Sequence, residues 1–151
     1  LHLLFRDAVD SDGRPDAGRA AALRESHGDR LAAQFAPRPP IADGVEAALA
    51  GATSMLDLSD GLARDAARIA AASGVGIEFE SAALGPDVAL ALGGGEDHSL
   101  LATFPPATTL PGGFRRIGRV VEATPDAVTC DGSPVDAVGW DPYSGWDGGR
   151  G

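Results

Sequence analysis

Met55-Leu56-Asp57-Leu58-Ser59-Asp60-Gly61-Leu62 sets the reading of this chain. An apolar run that begins near Thr53 ends in two carboxylates and a hydroxyl, and a glycine then opens an alanine-rich stretch. Leu62, Ala66, Ile69 and Ala70 recur at helical spacing, with Arg64, Asp65 and Arg68 on the other faces. The segment therefore reads as a strand over 53–58 running into a helix. Ser59 or Asp60 is its natural N-cap and Ser73-Gly74 its stop. In an extended strand, residues 57 and 59 share a side. Asp60 then stands where the first N–H groups of the helix are unpaired and partly positive. Such a junction suits Mg2+, which takes a few carboxylates together with waters and phosphate oxygens. Simple capping by Ser59 and Asp60 is the competing reading. Asp57 favours a site, because a carboxylate inside Met-Leu-Asp-Leu is costly to bury unless it is paired or metal-bound.

Downstream, residues 75–80 alternate as a half-buried strand does. Residues 82–92 are apolar but broken by Gly85-Pro86, which leaves their state open. Gly93-Gly94-Gly95-Glu96-Asp97 is the second special point. Glycines allow close backbone approach to a ligand, and a carboxylate directly after them is well held for recognition. Taken alone, that stretch reads more simply as a strand-entry turn with an exposed acid. Further strands are expected at 99–104 and 116–121, then at 127–130 and 135–138 around an Asp131-Gly132 turn.

Upstream, residues 16–35 suit a helix with Ala20, Leu23, Leu31 and Phe35 inward and an interruption near Gly28. Ala36-Pro37-Arg38-Pro39-Pro40 is a stiff link, after which Asp43 caps a short helix over 44–50 that Gly51 ends. Asp10-Ser11-Asp12-Gly13 is a turn rather than a calcium loop, since Ala8 and Arg19 fall where ligands are needed. Strands alternate with helices early and cluster late. The expected fold class is α+β, a layered α/β domain with a mixed sheet covered by helices.

Composition narrows the function. A chain of 151 residues with 44% hydrophobic content has room for one core, and 5% aromatics means that Ala, Leu, Val and Ile must build it. The net charge of −10 disfavours nucleic acid and anionic membranes as partners. No Lys is present, so these residues hold neither a Walker A loop nor a Schiff-base lysine. Cys130 is the single cysteine, which rules out an internal disulfide or thiolate zinc cluster within this sequence. His2, His27 and His98 have no zinc spacing. No apolar run has membrane-spanning length, and residues 1–5 are too short for a signal core, so a cytoplasmic location is expected. The opening Leu suggests a piece of a longer protein.

Several motifs taken together carry a resemblance. The stretch 52–62, then Ser73-Gly74-Val75-Gly76, then Gly94-Gly95-Glu96-Asp97-His98-Ser99-Leu100-Leu101, then Ile117-Gly118-Arg119-Val120, resemble the C-terminal half of thiamine-monophosphate kinases. Arg38-Pro39 before the short helix also fits. These kinases belong to the aminoimidazole-ribotide synthetase superfamily. The resemblance divides the chain into a helical lead-in at 1–35, a C-terminal kinase domain at 36–141 and a Gly-rich tail at 142–151. It implies ATP-dependent phosphorylation of thiamine monophosphate to thiamine diphosphate, with Mg2+ as the metal. By motif, Asp57 and Asp60 match Mg2+ ligands, Ser59 an ATP contact and Glu96 a thiamine-phosphate contact. Gly139-Trp140-Asp141 resembles the family's closing segment, which makes Trp140 the ring stacked on substrate. The sequence departs from the family at His98-Ser99, at Asp141-Pro142-Tyr143 and in a short 80–93 segment. In the family an N-terminal half supplies further metal-binding aspartates and the homodimer interface, so this chain alone is expected to be inactive. The alternatives are a non-catalytic nucleotide-binding or assembly domain, or another ATP-using member of the superfamily.

Overall fold

A computed structural model describes residues 6–95 and 98–136. The chain divides into two compact units, Leu1–Arg38 and Pro39–Gly151. In the first, helix α1 (Ala17–Phe35) starts where the Asp16 carboxylate accepts the Arg19 N–H at 3.0 Å. Its interruption falls at His27, whose φ of −132° and ψ of 27° leave the helical region. Leu31 is buried, but Phe35 is 62% exposed rather than inward, at the last residue before the chain turns into the proline link. The Asp10 carboxylate accepts the N–H groups of Asp12 and Arg14, which makes 10–14 the expected turn.

The second unit holds helix α2 (Ile41–Leu49), strand β1 (Ser54–Asp57), helix α3 (Leu62–Ser73) and strand β2 (Val75–Phe79). Helices α4 (Ser81–Leu84) and α5 (Val88–Gly93) follow, resolving the open 82–92 segment into two short helices parted at Gly85-Pro86. Strands β3 (Leu100–Thr103), β4 (Gly118–Glu122), β5 (Val128–Cys130) and β6 (Ser133–Pro134) follow among the described residues. Asp43 does not cap α2. The helix begins at Ile41, three residues before the expected start, with Pro40 at its N-cap and the Asp43 carboxylate in its first turn, where negative charge is favoured.

The fold is α+β, with its strands in two sheets rather than one. β1 and β3 pair antiparallel, while β4-β2-β5-β6 form a mixed sheet in which β2 and β5 run parallel. Helix α3 touches β1 and β3 as well as β2 and β5. Its buried Leu62, Ala66, Ile69 and Ala70 meet Ile77 and Phe79 of β2, Leu84, Leu101 of β3 and Val128 of β5. Phe79 is 1% exposed, and burying such a side chain contributes roughly 2–3 kcal/mol. Gly74 ends α3 in the left-handed region at φ 65°, so β2 starts one residue after the helix stops.

Asp131 and Gly132, at φ 48° and 78°, form the two-residue turn between β5 and β6. The strand after it is Ser133–Pro134, displaced from the expected 135–138, of which 137–138 lie outside the described residues. The turn geometry sets this register, pairing Cys130 with Ser133 directly. The Asp131 carboxylate accepts the Ser81 hydroxyl at 2.5 Å and the Ser81 N–H at 3.1 Å, tying the turn to α4.

Two outcomes test this packing. A Cβ at Gly118 would run into the Glu78 carbonyl across β2–β4, and backbone cannot move aside without breaking the ladder. Gly118→Ala is expected to cost about 2 kcal/mol in urea unfolding. The Ser81 donors hold the Asp131 carboxyl below its ordinary range. A lowered folded value means that the contact stabilises fully above the ordinary carboxylate range and is lost as pH falls through that lowered value. Thermal melts taken from about pH 7 down to about pH 3 should show a shallower acid decline for Asp131→Asn than for the parent chain.

Candidate functional site

The junction between β1 and α3 is built by a side chain from inside the helix. β1 ends at Asp57, and its pairing continues one step further: the Leu58 N–H donates to Ser99 O at 2.9 Å, and the His98 N–H to Leu58 O at 3.1 Å. The backbone then bends at Ser59 and Asp60. Neither caps α3; Gly61 does, at φ 117°, and no side chain bonds to the cap. Only glycine adopts that angle without strain, which places the helix start one residue beyond the two expected caps.

Asp65 holds the bend. Its Oδ2 accepts the Ser59 N–H at 3.0 Å and the Asp60 N–H at 3.1 Å. Its Oδ1 accepts from Arg68 Nη1 at 2.5 Å, and the other arm of Arg68 donates to Asp60 Oδ2. Asp65 is completely buried, contrary to its expected place on an outer face of α3. On the helix it follows Leu62 by three residues and precedes Ile69 by four, so it borders the core stripe; that spacing was its legible signal. Its carboxylate tolerates burial because two N–H groups and a guanidinium satisfy it. Both carboxylates push the Arg68 pKa up, with the Asp60 hydrogen bond the leading cause.

The triple glycine lies against this bend. A Cβ on Gly95 would stand 2.9 Å from Ser59 O and 3.6 Å from Asp60 Cα, so glycine is what lets the two backbones meet. Gly94 closes α5, donating its N–H to Leu90 O at 2.7 Å. On the far side, His98 takes φ 52°, an uncommon angle for a residue with a side chain. The two stretches singled out in the sequence, 57–61 and 93–97, are thus neighbours in space at Gly95.

Of the predicted site residues, Ser59 and Asp60 are half-buried at the bend, and Asp57 is exposed at the end of β1. The expectation that Asp57 is a buried carboxylate in need of a partner is therefore corrected: strand β1 turns that face outward. Glu96 and Trp140 lie outside the described residues. Among the described residues no group of three or more His, Cys, Asp or Glu side chains is placed to hold a metal. The donors present still fit Mg2+ as a partial set. They are two carboxylates and a hydroxyl, all hard oxygen ligands, and Mg2+ keeps waters and phosphate oxygens for the rest. No described helix is long and apolar enough to cross a membrane.

No protein-family model matches the chain. It is 40% identical over 141 residues to a thiamine-monophosphate kinase of Mycobacterium tuberculosis, covering 83% of this chain and 38% of the relative. A thiamine-monophosphate kinase of Corynebacterium glutamicum is 41% identical over 114 residues, covering 64% of this chain and 34% of the relative. The chain thus spans well under half the length of these relatives. Among solved structures it is similar to AaThiL complexed with AMPPCP and TMP, with a TM-score of 0.62 and 30% identity, covering 82% of this chain and 46% of that one.

If Asp65 carries the bend, removing it strands two amides and one arm of Arg68. Asp65→Ala is expected to lower the unfolding free energy by about 3 kcal/mol, read from urea midpoints at constant m-value.

Proposed function

The chain belongs to the thiamine-monophosphate kinase family, and on that premise we propose that it takes part in ATP-dependent phosphorylation of thiamine monophosphate to thiamine diphosphate. A phosphate oxygen of thiamine monophosphate forms a bond to the γ-phosphorus of ATP. The bond from that phosphorus to the β–γ bridging oxygen breaks, and ADP leaves. Such a transfer asks for positioning and charge neutralisation rather than a covalent protein nucleophile. The absence of Lys from the chain is compatible with that demand.

The observation that carries this reading is the seating of Gly95 on the Ser59–Asp60 backbone, which brings the acidic junction and the glycine loop to one place. In the proposed roles, the Ser59 hydroxyl and the N–H groups of the first α3 turn donate to ATP phosphate oxygens. Asp57 and Asp60 hold Mg2+, which when bound neutralises phosphate charge. Glu96 contacts thiamine monophosphate, and Trp140 stacks on its ring. Because the chain spans 38% of the Mycobacterium tuberculosis relative, we assign it a share of the site, within a homodimeric enzyme whose other residues complete it.

The test is production of thiamine diphosphate from thiamine monophosphate, ATP and Mg2+. One sample is this chain alone; another is the Mycobacterium tuberculosis kinase with its matching segment replaced by residues of this chain. Turnover is expected from the chimera and not from the chain alone. Asp57→Asn and Glu96→Gln should each lower the chimera's kcat/KM on the order of a hundredfold, as loss of a charged active-site contact does. A folded chimera without turnover would sink the kinase reading, and turnover by the chain alone would refute the shared site.

A further inference from the structure

Arg68 divides its guanidinium between two unlike carboxylates. Nη1 donates to Asp65 Oδ1 at 2.5 Å, and Nη2 donates to Asp60 Oδ2. The Asp65 side chain is 0% accessible, while that of Asp60 is 16% accessible and that of Arg68 48%. The two halves of the bridge therefore differ in what breaking them costs. Releasing Asp65 would leave a buried carboxylate short of a cation. Releasing Asp60 exposes a group at the rim that water or another cation can reach. A divalent ion on Oδ2 would meet the Arg68 guanidinium at close range and be repelled by it, so the two compete for that oxygen.

We propose that Arg68 is an internal counter-cation, which neutralises Asp60 in the ligand-free protein and yields it, while keeping Asp65, when a divalent ion binds. This rests on the reading of Asp60 as a metal ligand. Arg68 is then a positioning residue that acts through Asp60. The consequence is that an ion taking Oδ2 competes with a guanidinium, so Arg68 weakens the binding of Mg2+ alone. The arm that lets go stays anchored through Asp65, beside the bend and its half-buried Ser59. It can return when the ion leaves, with no change in the fold of α3.

The sign of one measurement separates this role from a merely structural one. The chain is titrated with Mg2+ while the amide resonances of Asp60 and Gly61 and the side-chain Nε–H of Arg68 are followed by NMR. Arg68→Gln is expected to bind Mg2+ roughly fivefold more tightly, the upper end of what a half-exposed ion pair contributes. That gain should vanish when Asp60→Asn is added. In the parent chain, the Arg68 Nε–H should shift with the same midpoint as the Asp60 amide. A residue that only braces the helix would give weaker binding on removal. Equal or weaker binding by Arg68→Gln, with Asp60→Asn still abolishing it, overturns the counter-cation role and leaves the metal reading of Asp60 standing. Binding that is undetectable, or indifferent to Asp60→Asn, overturns both. Arg68→Lys keeps a charge but cannot span both carboxylates, and it carries the test if the Gln variant does not fold. Its affinity should lie between the other two, and affinity equal to or below the parent's overturns the proposal.

Discussion

A buried carboxylate in the first turn of α3 governs the shape of the candidate site. Asp65 draws two consecutive N–H groups, those of Ser59 and Asp60, onto a single oxygen. Without that acceptor, the chain leaving β1 would have two donors at a half-buried bend and no partner for either. With it, strand and helix are joined at a defined angle, and the motif side chains project from a backbone that cannot drift. Satisfied hydrogen bonding is what makes a charge at 0% exposure tolerable. Arg68 completes the arrangement by taking the other oxygen.

Helix α3 is also the joint between the two sheets, since its apolar stripe meets β2, β3 and β5 in one core. The site sits at the end of that helix, on the best-packed element of its unit. Precision at such a junction comes from packing behind it, not from the exposed residues in front. Glycines then allow close approach where a side chain would not fit. Gly95 lies on the bend, Gly118 lies on the Glu78 carbonyl, and Gly76 leaves room for Val121 and the Glu122 carbonyl. These contacts explain why a chain rich in alanine and glycine can hold two motifs together without large side chains.

Much of this was legible in the sequence. The strand–helix junction, the strand at 75–79, the kink in α1 and the Asp131-Gly132 turn follow from periodicity and turn chemistry. Side-chain type alone does not give position. Ser59 and Asp60 are typical caps, yet Gly61 holds the cap and the two residues are held by their own N–H groups instead. The apolar neighbours of Asp57 suggest burial, yet alternation along β1 puts it outside. The charge of Asp65 suggests an outer face, although its spacing to Leu62 and Ile69 places it at the margin of the core, where it is enclosed.

The sequence by itself determined the local states and the two motifs, because helical and extended periodicities and glycine's backbone freedom act over a few residues. It also carried the family likeness, which is a property of residue order. Only the tertiary structure decided that Gly95 meets Ser59, that Asp65 is enclosed and that Arg68 bridges to Asp60. The first joins residues 36 apart in the chain, and all three depend on how α3 seats on the sheets. A short-range pattern records which residues could be buried or paired. Which partners satisfy them is settled only when the core closes around them.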